Sequence, residues 1–77
     1  MPNFQVLSIR ELVKRNAADL LEIAFHEKGR IQGYMDQLDK TECPPILVER
    51  DLKIIEGRHR VLSYYFKYRG TIVGERL

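Results

Sequence analysis

The stretch from Lys53 to Arg60, KIIEGRHR, constrains this chain most, because a single glycine joins an apolar strand to a helix there. The pair Ile54-Ile55 follows the segment PPILVE (44–49) and the turn-like Arg50-Asp51, which predicts two short strands in a hairpin. From Arg58 to Arg69 apolar residues recur with helical spacing, and the predicted apolar stripe comprises Val61, Leu62, Tyr65 and Phe66. The chain therefore changes from strand to helix at Gly57.

This strand-to-helix turn has the features of an anion site. The first backbone N–H groups of a helix have no internal partners and lie at the positive end of the helix dipole. Arg58, His59 and Arg60 add donors in the same turn, and Gly57 has no Cβ to obstruct a ligand. Basic residues in a first turn oppose the dipole, so their placement favours a phosphate-binding role. The alternative is a turn glycine followed by a solvated helix start.

The N-terminal part predicts a strand and a short helix. Phe4-Gln5-Val6-Leu7 is typical of a strand, and Ser8 with Glu11 predicts a capping box for a helix through Leu12-Val13.

A second helix is expected from Ala17 to Lys28. Asn16 is its predicted N-cap, Gly29 is its predicted C′ residue, and its apolar face comprises Leu20, Leu21, Ala24 and Phe25. His26 on this helix is interpreted as a surface histidine, because it has no partner at metal-binding spacing. A further short helix is predicted by the spacing of Ile31, Tyr34, Met35 and Leu38.

Residues 44–62 resemble the core hairpin and phosphate motif of the ParB/sulfiredoxin superfamily. The hallmark there is a P-I-x-V strand, a short turn, a second strand and a Gly-x-x-Arg helix start, which Gly57 to Arg60 match. The order of the other predicted elements is also similar. The resemblance implies one α+β domain over residues 1–77, with a short mixed sheet and three to four helices.

The resemblance also implies candidate chemistry. Sulfiredoxins carry a catalytic cysteine where this chain has Arg58, so sulfiredoxin activity is not expected. Partition proteins of the ParB type bind a nucleoside triphosphate with a Gly-Glu-Arg-Arg motif, which implies ATP or CTP, with or without Mg²⁺, at Gly57, Arg58, His59 and Arg60. Serine kinases of the superfamily carry Asp-Gly-His-His-Arg, which makes Glu56 a candidate catalytic base.

Gly29-Arg30-Ile31-Gln32 resembles a Gly-x-x-Gln segment that contributes to the nucleotide pocket of partition proteins. Gly29 and Gln32 are therefore further candidate nucleotide-binding residues. In partition proteins a proline and the strand follow directly, whereas residues 33–43 intervene here, so either the chain carries an insertion or the likeness is accidental.

Length and composition limit the remaining possibilities. With 77 residues the chain is one domain with a marginal core. The single cysteine, Cys43, is interpreted as a half-buried apolar residue and fits a reducing compartment. No apolar run approaches the roughly 18 residues of a membrane span, and the N-terminus lacks a secretory signal, so a cytoplasmic location is expected. The remaining acidic residues Asp36, Asp39 and Glu42 show no metal-site spacing.

Three functions remain open from the sequence. The first is a nucleotide- or phosphate-binding domain, and the second is a phosphotransferase or nuclease that uses Glu56 as base or magnesium ligand. The third is a small interaction protein of phage or plasmid type that binds DNA or a host protein with a vestigial pocket. Basic residues cluster in the second half, and Tyr64 and Tyr68 predict an exposed strip, so DNA, a host protein or a homodimer are alternative partners.

Overall fold

The computed structural model describes residues 3–38, 40 and 44–77, so the interpretation of Cys43 and the spacing of Asp39 and Glu42 lie outside the described residues. The elements run in the order β1 (Phe4–Ser8), α1 (Ile9–Arg15), α2 (Ala17–His26), α3 (Lys28–Leu38), β2 (Ile46–Val48), β3 (Ile54–Glu56), α4 (Arg58–Phe66) and β4 (Thr71–Arg76). Four helices and a four-stranded mixed sheet over these residues confirm the predicted α+β class.

The sheet has the strand order β1-β4-β2-β3. The pairs β1–β4 and β2–β3 are antiparallel, whereas β2 and β4 are parallel. The predicted β2–β3 hairpin therefore forms one side of the sheet, and its register shifts between Leu47 and Val48. Because β3 is an edge strand, the turn that follows it lies at the edge of the sheet.

The core lies between the helices and one face of the sheet. Its strand residues are Leu7, Ile46, Val48, Ile54 and Ile72, and its helix residues include Ile9, Leu12, Leu20, Ile23, Ile31, Val61 and Leu62. On the opposite face of the sheet, Phe4, Val6 and Val73 are exposed. The alternation of side chains along β1 and β4 thus leaves these three apolar side chains open to solvent, on the face that also carries Glu75 opposite Phe4.

Two predicted helix starts are present, but they work differently. Ser8 caps α1 by accepting a hydrogen bond from the Glu11 amide at 3.3 Å, as the capping box predicts. Asn16 occupies the N-cap position of α2 without a side-chain cap bond. Its side chain bonds instead to backbone groups of Leu12, Leu52 and Ile54.

The predicted end of the second helix was wrong. Helix α2 ends at His26 with Glu27 as its C-cap residue, and Gly29 lies inside the first turn of α3. The chain turns at Glu27, whose backbone leaves the helical conformation with φ −129° and ψ 38°. The Glu27 amide completes α2 by bonding to the Ile23 carbonyl at 2.8 Å, and the Arg30 amide bonds to the Glu27 carbonyl at 3.1 Å at the start of α3.

The predicted faces of α2 and α4 were partly wrong. Leu20 is buried as expected, but Leu21 and Phe25 are exposed. On α4, Tyr65 and Phe66 are largely exposed. Ser63, in contrast, is fully buried. Its hydroxyl donates to the His59 carbonyl at 2.7 Å, and this bond satisfies the hydroxyl inside the core.

The aromatic strip predicted from Tyr64 and Tyr68 is also wrong. Tyr64 packs against the core, and the Arg69 guanidinium carbon lies 5.7 Å from its ring centroid. Tyr68 is exposed in the left-handed conformation that ends the helix region, with φ 58°. The two rings therefore do not form one exposed surface.

Candidate functional site

Gly57 makes the turn between β3 and α4. It adopts φ +115°, which side chains rarely tolerate, and a Cβ there would lie 2.8 Å from Ile46 Cβ and still closer to Ile46 Cγ2. The first backbone bond of α4 runs from the Val61 amide to the Gly57 carbonyl at 3.0 Å. The amides of residues 58–60 therefore precede the intrahelical ladder and lie at the positive end of the helix.

A pocket of about 420 Å³ opens between the start of α4 and one flank of α2. This α2–α4 pocket is lined by Asp19, Glu22, Ile23, His26, Glu27, Arg58 and His59. Its walls are brought together by the packing of α2 and α4 around the shared core residues Leu20, Ile23 and Val61. The structure therefore places Arg58 and His59, two of the predicted anion-binding residues, in the wall of one pocket.

The charge of this pocket differs from the sequence-based expectation. Asp19, Glu22 and Glu27 face the same space as Arg58, so carboxylates outnumber the guanidinium. A bare phosphate would meet repulsion from these side chains. A phosphate accompanied by a divalent cation meets opposite charges on both sides of the pocket, because carboxylate oxygens are ligands for Mg²⁺.

His59 is held by contacts to the corner between α2 and α3. Its Nε2 atom is buried and lies 3.3 Å from Glu27 Oε1, outside hydrogen-bond geometry, and its ring stacks on Tyr34 with centroids 5.9 Å apart. Arg30 Nη1 reaches the same Glu27 oxygen at 3.0 Å. Arg30 and His59 together lower the pKa of the Glu27 carboxyl below its usual value, with Arg30 as the larger cause.

Arg60 has a different orientation from its two neighbours. Its Nη1 donates to the carbonyls of Pro44 and Pro45, at 2.7 and 3.0 Å, just before β2. Consecutive residues on a helix project about 100° apart, so three adjacent side chains do not share one target. Arg60 thus fixes the chain that enters the hairpin, and the structure does not bring it into the α2–α4 pocket lining.

The other predicted site residues are dispersed. Glu56 is exposed at the end of β3, opposite Leu47, and is not among the described residues that line the pocket. Gly29 is exposed on α3, where a Cβ would meet no atom within 4 Å. Gln32 donates to Asp36 Oδ1 at 3.0 Å and lines a separate pocket of about 230 Å³. The structure therefore does not bring Gly29, Gln32 or Glu56 together with Arg58 and His59.

Sequence reasoning missed Asp19, Glu22 and Glu27 as pocket residues. Asp19, Glu22 and His26 are spaced at i, i+3 and i+7, so they share one flank of α2. This spacing was a detectable signal. His26 is exposed, as the sequence analysis expects, and it also lines the pocket.

The described part of the chain contains neither a metal-binding cluster nor a membrane-spanning helix. Within residues 3–38, 40 and 44–77 no group of three or more histidine, cysteine, aspartate or glutamate side chains is arranged to hold a metal ion. Over the same described part of the chain, the helices are too short or too polar to cross a membrane.

Part of this chain is similar to part of a known enzyme. The chain is similar to an N-acetylmuramic acid 6-phosphate etherase from Psychromonas ingrahamii, in an alignment of 56 residues with 36% identity. This alignment covers 60% of the chain and 19% of the etherase, so the chain spans about a fifth of that relative. No protein-family model and no solved structure matches the chain.

Proposed function

We propose that this chain is a phosphate- or nucleotide-binding domain of the ParB/sulfiredoxin-like class, with the ligand held in the α2–α4 pocket. The observation that carries the proposal is that Arg58 and His59, at the positive end of α4, line one open pocket of about 420 Å³. The hairpin, the left-handed glycine and the helix that follows it also match the motif on which the resemblance rests.

The pocket's carboxylates favour a magnesium complex of ATP or CTP over a free phosphate. Arg58 and the first amides of α4 supply donors for phosphate oxygens, and Asp19 and Glu22 supply negative charge on the facing helix. Mg²⁺ is usually bound by one or two carboxylates together with substrate phosphates and water, so the cation would join the two halves of this pocket. Such a ligand is consistent with a cytoplasmic protein.

Glu56 gives little support to a phosphotransferase or nuclease reaction. It is exposed at the end of the edge strand β3 and is not among the described residues that line the pocket. The etherase relative is named for a phosphorylated substrate, but the alignment covers too little of that enzyme to propose its reaction here.

A second candidate function is an interaction domain of phage or plasmid type. The exposed apolar side chains Phe4, Val6 and Val73 favour it, because contiguous exposed apolar surface is typical of protein-binding faces. A host protein, DNA or a second copy remain the proposed partners of this alternative.

Titration of the purified protein with ATP and CTP, with and without Mg²⁺, tests the proposal. We expect binding that requires Mg²⁺, and a loss of affinity of at least about tenfold in Arg58→Ala, because a charge-assisted bond to phosphate is removed. Arg10→Ala is the matched control, since Arg10 is an exposed arginine on α1. Absence of binding by the wild type at millimolar nucleotide, or equal losses in both variants, would contradict the proposal.

A further inference from the structure

The two edges of the sheet differ in how far they are protected. The strand order places β1 at one edge and β3 at the other. Strand β3 has three residues and carries the charged Glu56, and its Ile54 amide is already bonded to Asn16 Oδ1 at 3.0 Å. Short length, charge and covered amides are features by which natural sheets avoid edge-to-edge pairing. Strand β1 has five residues, FQVLS, and therefore lacks the short length and the charge that protect β3.

The pairing of β1 with β4 shows which backbone groups of β1 face outward. The Arg76 amide donates to the Asn3 carbonyl at 3.1 Å. The Ile9 amide donates to the Gly70 carbonyl at 2.9 Å. Opposite residues of an antiparallel pair alternate between bonded and non-bonded pairs, and the register with β4 is continuous along the whole strand. The odd-numbered residues of β1 therefore bond to β4, whereas the amides and carbonyls of residues 4, 6 and 8 are directed towards the open edge.

These outward groups match those of a second copy of the same strand. When two β1 strands run antiparallel about a two-fold axis at Val6, the two copies of Val6 lie opposite each other, and Phe4 lies opposite Ser8 of the second copy. Each outward amide then meets an outward carbonyl, which gives about six backbone hydrogen bonds. Phe4 also comes within diagonal reach of Val6 of the second copy. Like charges are not placed opposite each other, because FQVLS is uncharged.

We propose that β1 is a homodimerisation edge: two copies of the chain pair antiparallel through residues 4–8 and join their sheets into one continuous sheet. A second copy supplies a strand of the same length with the same outward pattern, and the two-fold axis closes the assembly at a dimer. Five paired residues make a small interface, so the dimer should be weak and concentration-dependent. The inference does not depend on the proposed function, because the α2–α4 pocket is lined by residues of α2, its C-cap and α4.

Residue-resolved amide hydrogen exchange at about 50 μM and about 1 mM tests this pairing. In the wild type, the exchange rate of the Val6 amide should fall at least about threefold at the higher concentration, because this amide becomes bonded in the dimer. The Gln5 and Leu7 amides bond to β4 in both states, so their exchange rates should change less. Packing of two open sheet faces would cover side chains and leave the Val6 amide unbonded, so the alternation identifies edge pairing.

Two lysine variants separate the edge from the face of the sheet. Val6→Lys should remove the concentration dependence, because two lysines would lie directly opposite each other. Val73→Lys is the matched control, because Val73 is exposed on the same face and pairs with Val6 but lies on the inner strand β4. In the proposed dimer the two copies of residue 73 are three strand spacings apart, about 14 Å, which exceeds the Debye length of about 8 Å at physiological salt. Val73→Lys should therefore retain the protection of the Val6 amide.

The wild-type measurement alone can overturn the inference, whether or not each variant folds. A Val6 amide that exchanges at one rate at both concentrations would overturn it. Equal slowing at Gln5, Val6 and Leu7 would also overturn it, because that pattern reflects a change in global stability. Loss of the concentration dependence in both lysine variants would assign the contact to the open faces and exclude edge pairing.

Discussion

Asn16 connects the α1–α2 corner to the hairpin through its side chain. Its Nδ2 donates to the carbonyls of Leu12 and Leu52, at 2.9 Å each, and its Oδ1 accepts from the Ile54 amide at 3.0 Å. The side chain is buried, so removing it leaves backbone groups without partners. We expect Asn16→Ala to lower the free energy of unfolding by about 2–4 kcal/mol.

Urea denaturation with an unchanged m-value would measure this loss. Asn3→Ala is the matched control, because Asn3 is exposed before β1 and its side chain should matter by less than about 0.5 kcal/mol. Equal midpoints for Asn16→Ala and the wild type would show that water replaces the three bonds.

Two glycines allow a direct test of which one the fold requires. Gly57→Ala should destabilise the protein by about 2–4 kcal/mol, because alanine is strained at φ +115° and its methyl group would overlap Ile46. Gly29→Ala should stabilise it by up to about 1 kcal/mol, because Gly29 lies in a helix with open space around it. Thermal unfolding of both variants would measure these opposite changes in stability. A loss in Gly29→Ala would indicate a backbone requirement there.

These residues show how far local sequence reasoning reaches. Ser8 and Gly57 were predicted correctly because a cap and a tight turn depend on neighbours within a few positions. The bonds of Asn16 to Leu52 and Ile54 join positions 36 and 38 apart, so only the folded structure identifies them. For the same reason the pocket partners of Arg58 on α2 were missed.

At the scale of elements, an ion pair joins the end of α1 to the hairpin turn. Arg15 Nη2 lies 2.6 Å from Asp51 Oδ2, and the Lys53 amide donates to the same carboxylate group at 3.1 Å. The Arg15 bond, with a smaller contribution from the Lys53 amide, lowers the pKa of Asp51. The contact should therefore stabilise the fold only while Asp51 is ionised.

The sign of the pH effect follows from the lowered pKa. Stability from this contact is present above the unfolded-state pKa, about 3.9, and is lost as the pH falls through the lower folded-state value. Asp51→Asn should therefore reduce the loss of stability between about pH 5 and pH 2 in urea melts. Both side chains are about half exposed, so about 0.5 M salt should weaken the effect.

Arg15→Gln provides the matched control for this pair. It should reduce the loss of stability over the same pH interval. If one interaction is responsible, the double variant should add little to the effect of either single change. Additive effects would mean that Asp51 acts through the Lys53 amide instead.

The elements themselves were more predictable than their orientation. The hairpin, the two N-terminal helix starts and the presence of α3 follow from short-range patterns, although α3 begins at Lys28, before the predicted apolar residues. The exposed Leu21 and Phe25, and the buried Ser63, do not, because burial depends on which neighbouring element packs against each helix face. Local propensity predicts that a helix or strand forms, whereas tertiary packing determines which of its faces is buried.

At the scale of the whole molecule, the four helices of the described residues cover one face of the sheet and leave Phe4, Val6 and Val73 exposed on the other face. Val6 on the edge strand β1 is 71% exposed and pairs with Val73 on β4, and the strand sequence FQVLS contains no charged residue. An uncharged edge strand beside exposed apolar side chains favours association with a second copy. This open face depends on the strand order, which short-range sequence patterns do not predict.

We therefore expect concentration-dependent self-association that involves the open sheet face. Sedimentation velocity from about 10 μM to about 1 mM should show it for the wild type, and Val6→Lys should abolish it, because a charge would face the apolar surface of the second copy. The free energy of unfolding at low concentration should change by less than about 1 kcal/mol, since Val6 is exposed. Leu21→Lys is the matched control, because Leu21 is also exposed but lies on α2, away from the sheet face. Association that survives Val6→Lys and disappears in Leu21→Lys would place the contact on the helical side instead, and a monomeric wild type throughout this range would remove the homodimer from the proposed partners.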